Sequence, residues 1–245
     1  MNKRTAIITG AGKGIGKAIV SRFIKENYFV IAVDFDEEGG KKLLAEFGKN
    51  KVQFAKADIS KEKIVRTLFE KILKEYKHID VLVNNAGIIR DNMIWNMSSE
   101  EFDLVMNVNL KGTWLMCREV SKIMKEQKSG RIINISSRAW LGNRGQSNYS
   151  ASKAGVISLT RVLALELGKY NVLVNTVAPG LIDTPLTQKL EKEILQKLID
   201  AQPTKTMGKS EDVADAVSFL ASEKTHFITG QTIYVDGGKS IGAGI

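Results

Sequence analysis

Apolar runs recur along the chain at 5–9, 28–34, 51–57, 79–84, 130–136, 171–178 and 231–236, and stretches of helical length separate them. Within those stretches apolar residues return at three- and four-residue spacing, as in Ile15, Ala18, Ile19 and Phe23, or in Ile64, Leu68 and Ile72. That spacing predicts helices with one buried stripe. Several runs are β-branched and apolar without alternation, among them Val81-Leu82-Val83 and Ile132-Ile133, as expected of strands covered on both faces. Strands alternating with helices imply right-handed crossovers. The expected fold is therefore α/β and Rossmann-type: a doubly wound parallel seven-stranded sheet with helices on both faces, in a single domain over 1–245. The segment 186–209 breaks the rhythm, being polar, partly helical and placed after Pro179-Gly180. It is a candidate substrate lid.

Composition narrows the picture. With 245 residues, 43% of them hydrophobic, the chain can bury one sizeable core. No apolar run approaches the roughly 18 residues that cross a bilayer, and the first apolar stretch is too short for a signal peptide. A cytoplasmic protein without a membrane span is expected. One cysteine, Cys117, excludes an intramolecular disulfide and a multi-cysteine metal site. His78 and His226 lack ligand partners at useful spacing, so no metal is expected. The net charge of +9 is spread along the chain without a basic cluster, which argues against a nucleic-acid partner. It suits a lysine-rich solvated surface or, as the alternative, a basic rim that attracts anionic substrates such as acyl thioesters.

The first run leads into Thr9-Gly10-Ala11-Gly12-Lys13-Gly14-Ile15-Gly16, which opens a helix. Glycines there let backbone N–H groups approach a diphosphate, and the helix N-terminus favours negative charge. A nucleotide-triphosphate loop would need glycine at Ala11 and Ser or Thr at Ala18, and the G-x-G-x-x-G spacing fails at Ile15 and Lys17. What remains is T-G-x-x-x-G-x-G. The second run ends at Asp34, 18 residues after Gly16, where a carboxylate can accept from an adenosine ribose hydroxyl. It would repel a 2′-phosphate, by roughly 4 kcal/mol for unit charges about 4 Å apart at an effective dielectric near 20. Asp34 thus favours NAD, whereas Lys13 leaves NADP open.

Tyr149 and Lys153 stand four apart in a helical segment and share a face. A tyrosine with a pKa of about 10 is a poor proton carrier near neutrality, and an ammonium beside it is expected to lower that value. Thr9 to Gly16, Asn84-Asn85-Ala86-Gly87, Asn109, Tyr149-Ser150-Ala151-Ser152-Lys153 and Pro179-Gly180 occur together in one order and spacing. In these the chain resembles the short-chain dehydrogenases/reductases over nearly its whole length.

The resemblance implies an oxidoreductase that interconverts a secondary alcohol and a ketone by hydride transfer with NAD or NADP. It makes Tyr149 the general acid/base, Lys153 the residue that holds the ribose, and Asn109 the holder of a water in a proton relay. A serine should fix the substrate oxygen. The family's usual 13-position separation from the tyrosine points to Ser136, whereas strand phase points to Ser137, with a loop one residue short. A slip within a strand would flip every side chain, so Ser137 is chosen. Asp58 and Ile59 should flank the adenine, Asn85, Ala86 and Gly87 should pass beneath the cofactor, and Ile182 and Thr184 after Pro179-Gly180 should meet the nicotinamide carboxamide.

Gly87-Ile88-Ile89-Arg90-Asp91-Asn92, Gly145-Gln146-Ser147-Asn148-Tyr149 and the ending Val235-Asp236-Gly237-Gly238 most resemble 3-oxoacyl-[acyl-carrier-protein] reductases of fatty acid metabolism. A 3-oxoacyl thioester, on coenzyme A or on acyl carrier protein, is the implied substrate. Asp34 departs from the NADPH preference of those enzymes, Tyr170 replaces an arginine that meets the carrier protein, and Trp140 and Arg144 are unusual. Two alternatives stay open: an NAD-dependent dehydrogenase of small cyclic or steroid-like alcohols, and a cofactor-sensing protein without turnover. Segments 100–128 and 149–170 resemble helices that pair between subunits, which implies a homotetramer.

Overall fold

The computed structural model describes residues 3–241. In chain order its strands are β1 (Thr5–Thr9), β2 (Phe29–Asp34), β3 (Val52–Lys56), β4 (Val81–Asn84), β5 (Gly130–Ile135), β6 (Val172–Pro179), β7 (Ile182–Asp183), β8 (Gly208–Lys209) and β9 (Thr232–Val235). Seven of them form one parallel sheet in the order β3-β2-β1-β4-β5-β6-β9. The chain fills one half of the sheet outward from β1 and then begins the other half at β4. Between β1 and β4 the order reverses, and in open α/β sheets ligands bind beyond the carboxyl ends of the strands at that point.

The apolar runs hide a period of two because both faces are buried. Ala6 and Ile8 of β1 and Val30 and Ala32 of β2 enter one core, which α1 (Gly14–Lys25), α2 (Glu37–Phe47) and α8 (Ser210–Ala221) cover. Ile7, Ile31 and Val33 enter the other, under α3 (Glu62–Glu75), α5 (Thr113–Gln127) and α6 (Ser147–Leu167). Ahead of α5, α4 (Ser99–Met106) starts on a capping box between Ser98 and Glu101. It runs into α5 through a π-helical stretch, Asn107–Gly112. Wider turns of this kind concentrate at functional sites.

β7 and β8 pair only with each other, Ile182 against Gly208 and Asp183 against Lys209. They clasp the base of the segment between them, which contains α7 (Lys192–Asp200). No residue of α7 is buried, and Leu186, Leu190, Ile194 and Leu198 present apolar surface. Among the described residues no helix is long and apolar enough to cross a membrane.

Candidate active site

The glycine loop joins β1 to α1 in the crevice. Gly10 has φ +62°, and a Cβ there would stand 2.7 Å from the Ala86 Cα. A Cβ on Gly16 would stand 1.9 Å from the Gly10 carbonyl oxygen, so the loop closes only without side chains. Lys13, at the N-cap of α1, makes no side-chain cap, which leaves the first N–H groups of the helix facing the crevice without an intramolecular acceptor. Asp34 sits over this loop. Its Oδ2 accepts from Gly12 N–H at 2.8 Å and its Oδ1 from Asp36 N–H at 2.9 Å, and each oxygen keeps a lone pair for a further donor. An uncapped helix start and a half-buried carboxylate at the end of β2 fit a dinucleotide with a diphosphate and a ribose diol.

The floor is stitched across the crevice. Thr9 Oγ1 accepts from the N–H groups of Asn85 and Ala86, both at 3.1 Å, and the Asn85 amide donates to the carbonyls of Thr9 and Gly10 at 3.1 and 2.9 Å. The Asn85 side chain thus ties β4 to β1, and Thr9 shares that work, which the sequence reading did not assign. Asn84 is buried and donates to Asn134 Oδ1 at 2.9 Å and towards Cys117 Sγ. Burial pushes the Cys117 thiol up to about 12. Asp58 folds back on Ser60, accepting its N–H at 3.0 Å and its hydroxyl at 2.7 Å. Ile59 is buried in the second core and packs against Gly112 of the π-helix.

Tyr149 and Lys153 lie on α6, and the Lys153 Nζ is 5.6 Å from the Tyr149 ring centre. Nζ donates to the Ile135 carbonyl at 2.8 Å, while Ser136 Oγ donates to the Lys153 carbonyl at 2.8 Å. The Ser136 hydroxyl is therefore spent on the backbone of α6. Ser137 lies near enough to the Tyr149 phenol to lower its pKa. Its Oγ accepts from Ala139 N–H at 3.1 Å, so its single proton stays available to donate.

The electrostatics correct one expectation. Burial is the largest effect on Tyr149 and holds its pKa above the ordinary value of 10.0; Ser137 lowers it and Asp91 raises it. Lys153 does not offset this, because its own burial pulls it down to about 8. Helical spacing predicted an ammonium that lowers the phenol; desolvation of both groups reverses the outcome.

Asn109 lies in the π-helix, fully buried. Its Oδ1 accepts from Ile88 N–H at 2.8 Å, and its Nδ2 donates to the Ile88 carbonyl at 3.0 Å and to Ser152 Oγ at 3.2 Å. Ser152 in turn donates to the Tyr149 carbonyl at 2.7 Å. This serine, within the Tyr-Ser-Ala-Ser-Lys run, went unassigned in the sequence. A Cβ on Gly87 would stand 3.3 Å from Asn109 Oδ1 and 3.4 Å from Lys153 Nζ, which brings these three residues to one spot. Beyond Pro179 and Gly180, Ile182 is buried in the first core and Thr184 bonds Thr187. Thr184 also approaches the glycine loop, 3.7 Å from where a Gly14 Cβ would be.

Comparison with known proteins identifies the family. Residues 10–240 match the protein family described as enoyl-(acyl carrier protein) reductase. A subunit of (2S)-[(R)-hydroxy(phenyl)methyl]succinyl-CoA dehydrogenase from Thauera aromatica is 42% identical over 100% of this chain and 99% of its own. A 3-oxoacyl-[acyl-carrier-protein] reductase from Thermotoga maritima is 42% identical over 97% of this chain and 98% of its own. Among solved structures, levodione reductase superposes with a TM-score of 0.93 at 33% identity, covering 97% of both chains. ElxO with NADP bound gives 0.92 at 33% identity, over 97% of this chain and 99% of that one. The chain belongs to the short-chain dehydrogenases/reductases, and it is an oxidoreductase of that family.

Proposed function

We propose that this enzyme reduces 3-oxoacyl thioesters, carried on coenzyme A or on an acyl carrier protein, with Tyr149 as general acid/base. The observation that carries the reading is Lys153 Nζ 5.6 Å from the Tyr149 ring centre, one helical turn further along α6, with Ser137 near enough to the phenol to lower its pKa. Gly10, Lys13, Gly14, Ile15 and Gly16 would hold the cofactor's diphosphate on their backbone. Asp34 would take the adenosine ribose, and Asp58 and Ile59 would flank the adenine. Asn85, Ala86 and Gly87 would form the floor, and Pro179, Gly180, Ile182 and Thr184 would meet the nicotinamide end. When bound, a nicotinamide dinucleotide supplies or accepts the hydride at the carbinol carbon.

The chain's own groups handle the oxygen. Tyr149 gives its proton to the ketone oxygen in reduction and takes it back in oxidation, and Ser137 donates to that oxygen as charge develops on it. Lys153 holds the ribose, and Asn109 braces the site and holds a relay water. Asp34, anchored by two backbone donors, favours NAD over NADP. The segment 186–209, clasped by β7 and β8, acts as the substrate lid. Lys125 and Lys169 lie 5.5 and 5.2 Å from the Tyr170 ring centre, which supports a basic landing for an acidic carrier protein. The single buried thiol suits a cytoplasmic enzyme.

A second reading has its own support. Asp34 and the Thauera relative, named as a CoA-thioester dehydrogenase, favour NAD-linked oxidation of a hydroxyacyl thioester. Small cyclic or steroid-like alcohols are the further substrates of that reading. A cofactor sensor without turnover would have no need of Ser137, Tyr149 and Lys153 together. Oxidation of NADH and of NADPH, followed in parallel with acetoacetyl-CoA, tests these readings. Turnover with preference for NADH is expected. Preference for NADPH would overturn the role of Asp34, and no turnover with either would overturn the 3-oxoacyl substrate.

A further inference from the structure

The segment that follows β4 is tied, residue by residue, to the stretch that leads into Tyr149. Asn92 N–H donates to the Gly145 carbonyl at 2.9 Å. Gln146 Nε2 donates to Asp91 Oδ2 at 2.9 Å, and Asn148 Nδ2 donates to the Arg90 carbonyl at 2.9 Å. Three consecutive residues, 90 to 92, are thus joined to 145–148.

Gln146 occupies the N-cap of α6 but makes no side-chain bond to the helix. The N–H of Tyr149, one of the donors a helix start leaves over, is taken instead by Asn148 Oδ1 at 2.6 Å. The Gln146 amide is free for other work. Its oxygen accepts from Asn143 Nδ2 at 3.0 Å, its nitrogen holds Asp91, and the residue is only 8% exposed. An amide buried and engaged at both ends is fixed in place. Asp91 itself is exposed, and without that bond its carboxylate would turn into solvent.

Gln146 and Tyr149 stand three apart, neighbours across one turn, so a carboxylate held by Gln146 is held near the tyrosine side chain. Three groups act on the phenol from three elements: Lys153 from α6 itself, Ser137 from the end of β5, and Asp91 from the segment after β4. Asp91 is the anion among them, and it opposes loss of the phenolic proton.

We propose that Asp91 and Gln146 form a positioning pair for Tyr149, in which Gln146 clamps the Asp91 carboxylate near the phenol and the fixed charge keeps Tyr149 a proton donor, biasing the site toward ketone reduction over alcohol oxidation. This assignment rests on the reading of Tyr149 as the general acid/base. A carboxylate repels a phenolate and leaves a neutral phenol alone, so it penalises one protonation state only. Solvent screens an exposed charge, which limits the effect to about half a pH unit.

Asp91→Asn keeps the shape and the acceptor for Gln146 and removes the charge. With NADH and acetoacetyl-CoA, the alkaline limb of the kcat profile for reduction should move down by about 0.5 pH unit, about a threefold loss of rate along that limb. Gln146→Ala keeps the charge and releases it, and should move the limb the same way by a smaller step. A limb that Asp91→Asn leaves in place overturns the proposal, and one that only Asp91→Asn moves overturns the pairing. The phenol gives a second reading that needs no substrate. In protein labelled with carbon-13 at the oxygen-bearing ring carbon of tyrosine, the Tyr149 resonance is the one lost in Tyr149→Phe. At one alkaline pH it should report about threefold more phenolate in Asp91→Asn than in wild type; equal fractions overturn the proposal. If acetoacetyl-CoA is not reduced while the fractions differ, the 3-oxoacyl reading fails and the pair stands.

Discussion

The Tyr149 phenol is held above its ordinary pKa by burial, against the opposing effect of Ser137, so at neutral pH it keeps the proton that the proposed ketone reduction would consume. Tyr149→Phe removes only the hydroxyl and should cut kcat by about 10² to 10⁴ while leaving dinucleotide affinity close to wild type, as fluorescence titration would show. Lys153 offers a pH test. Burial lowers it from 10.5 to about 8, a penalty of about 3 kcal/mol. Between those values the unfolded chain holds a proton that the folded chain does not, so stability rises with pH across the window. Wild type should therefore gain urea resistance relative to Lys153→Met between pH 7.5 and pH 10; a constant difference would show that Lys153 is not desolvated. Part of this scale was legible in the sequence. Strand phase favoured Ser137 although the count of positions favoured Ser136, and in the structure the Ser136 hydroxyl is occupied by the backbone of α6. The direction of the phenol's shift was not legible, because desolvation depends on neighbours that spacing along one helix does not reveal.

At the scale of elements, the loop between β1 and α1 is the least forgiving. A Cβ on Gly16 would overlap the Gly10 carbonyl, and Gly16→Ala forces the loop apart at about 1–3 kcal/mol. Thermal melts should show that loss, and dinucleotide binding should fall further than stability does; a variant that melts and binds like wild type would contradict the packing. The strands of the main sheet were legible because a run covered on both faces shows in the residues themselves. The π-helical stretch at Asn109 was not, since the same apolar spacing suits an ordinary helix and only the backbone registers the wider turn. The clasp of β7 and β8 was equally hidden, because two residues per strand carry no period.

For the whole molecule, the segments that resemble subunit-pairing helices leave apolar side chains uncovered: Phe102 and Leu104 on α4, Trp114 on α5, and Val162 and Leu165 on α6, the last 85% exposed. On that basis light scattering coupled to gel filtration should report four copies. Leu165→Glu should yield smaller species; a wild-type monomer would refute the assembly. The opposed bonds between β5 and α6, Lys153 to the Ile135 carbonyl and Ser136 to the Lys153 carbonyl, act mechanically as a cross-brace. Sliding α6 along the sheet in either direction strains at least one of them, so the phenol and the ammonium move with the sheet as one stiff block. The segment between β7 and β8 lies outside that block, so if it is the proposed lid its movement can be tuned without disturbing Tyr149 and Lys153.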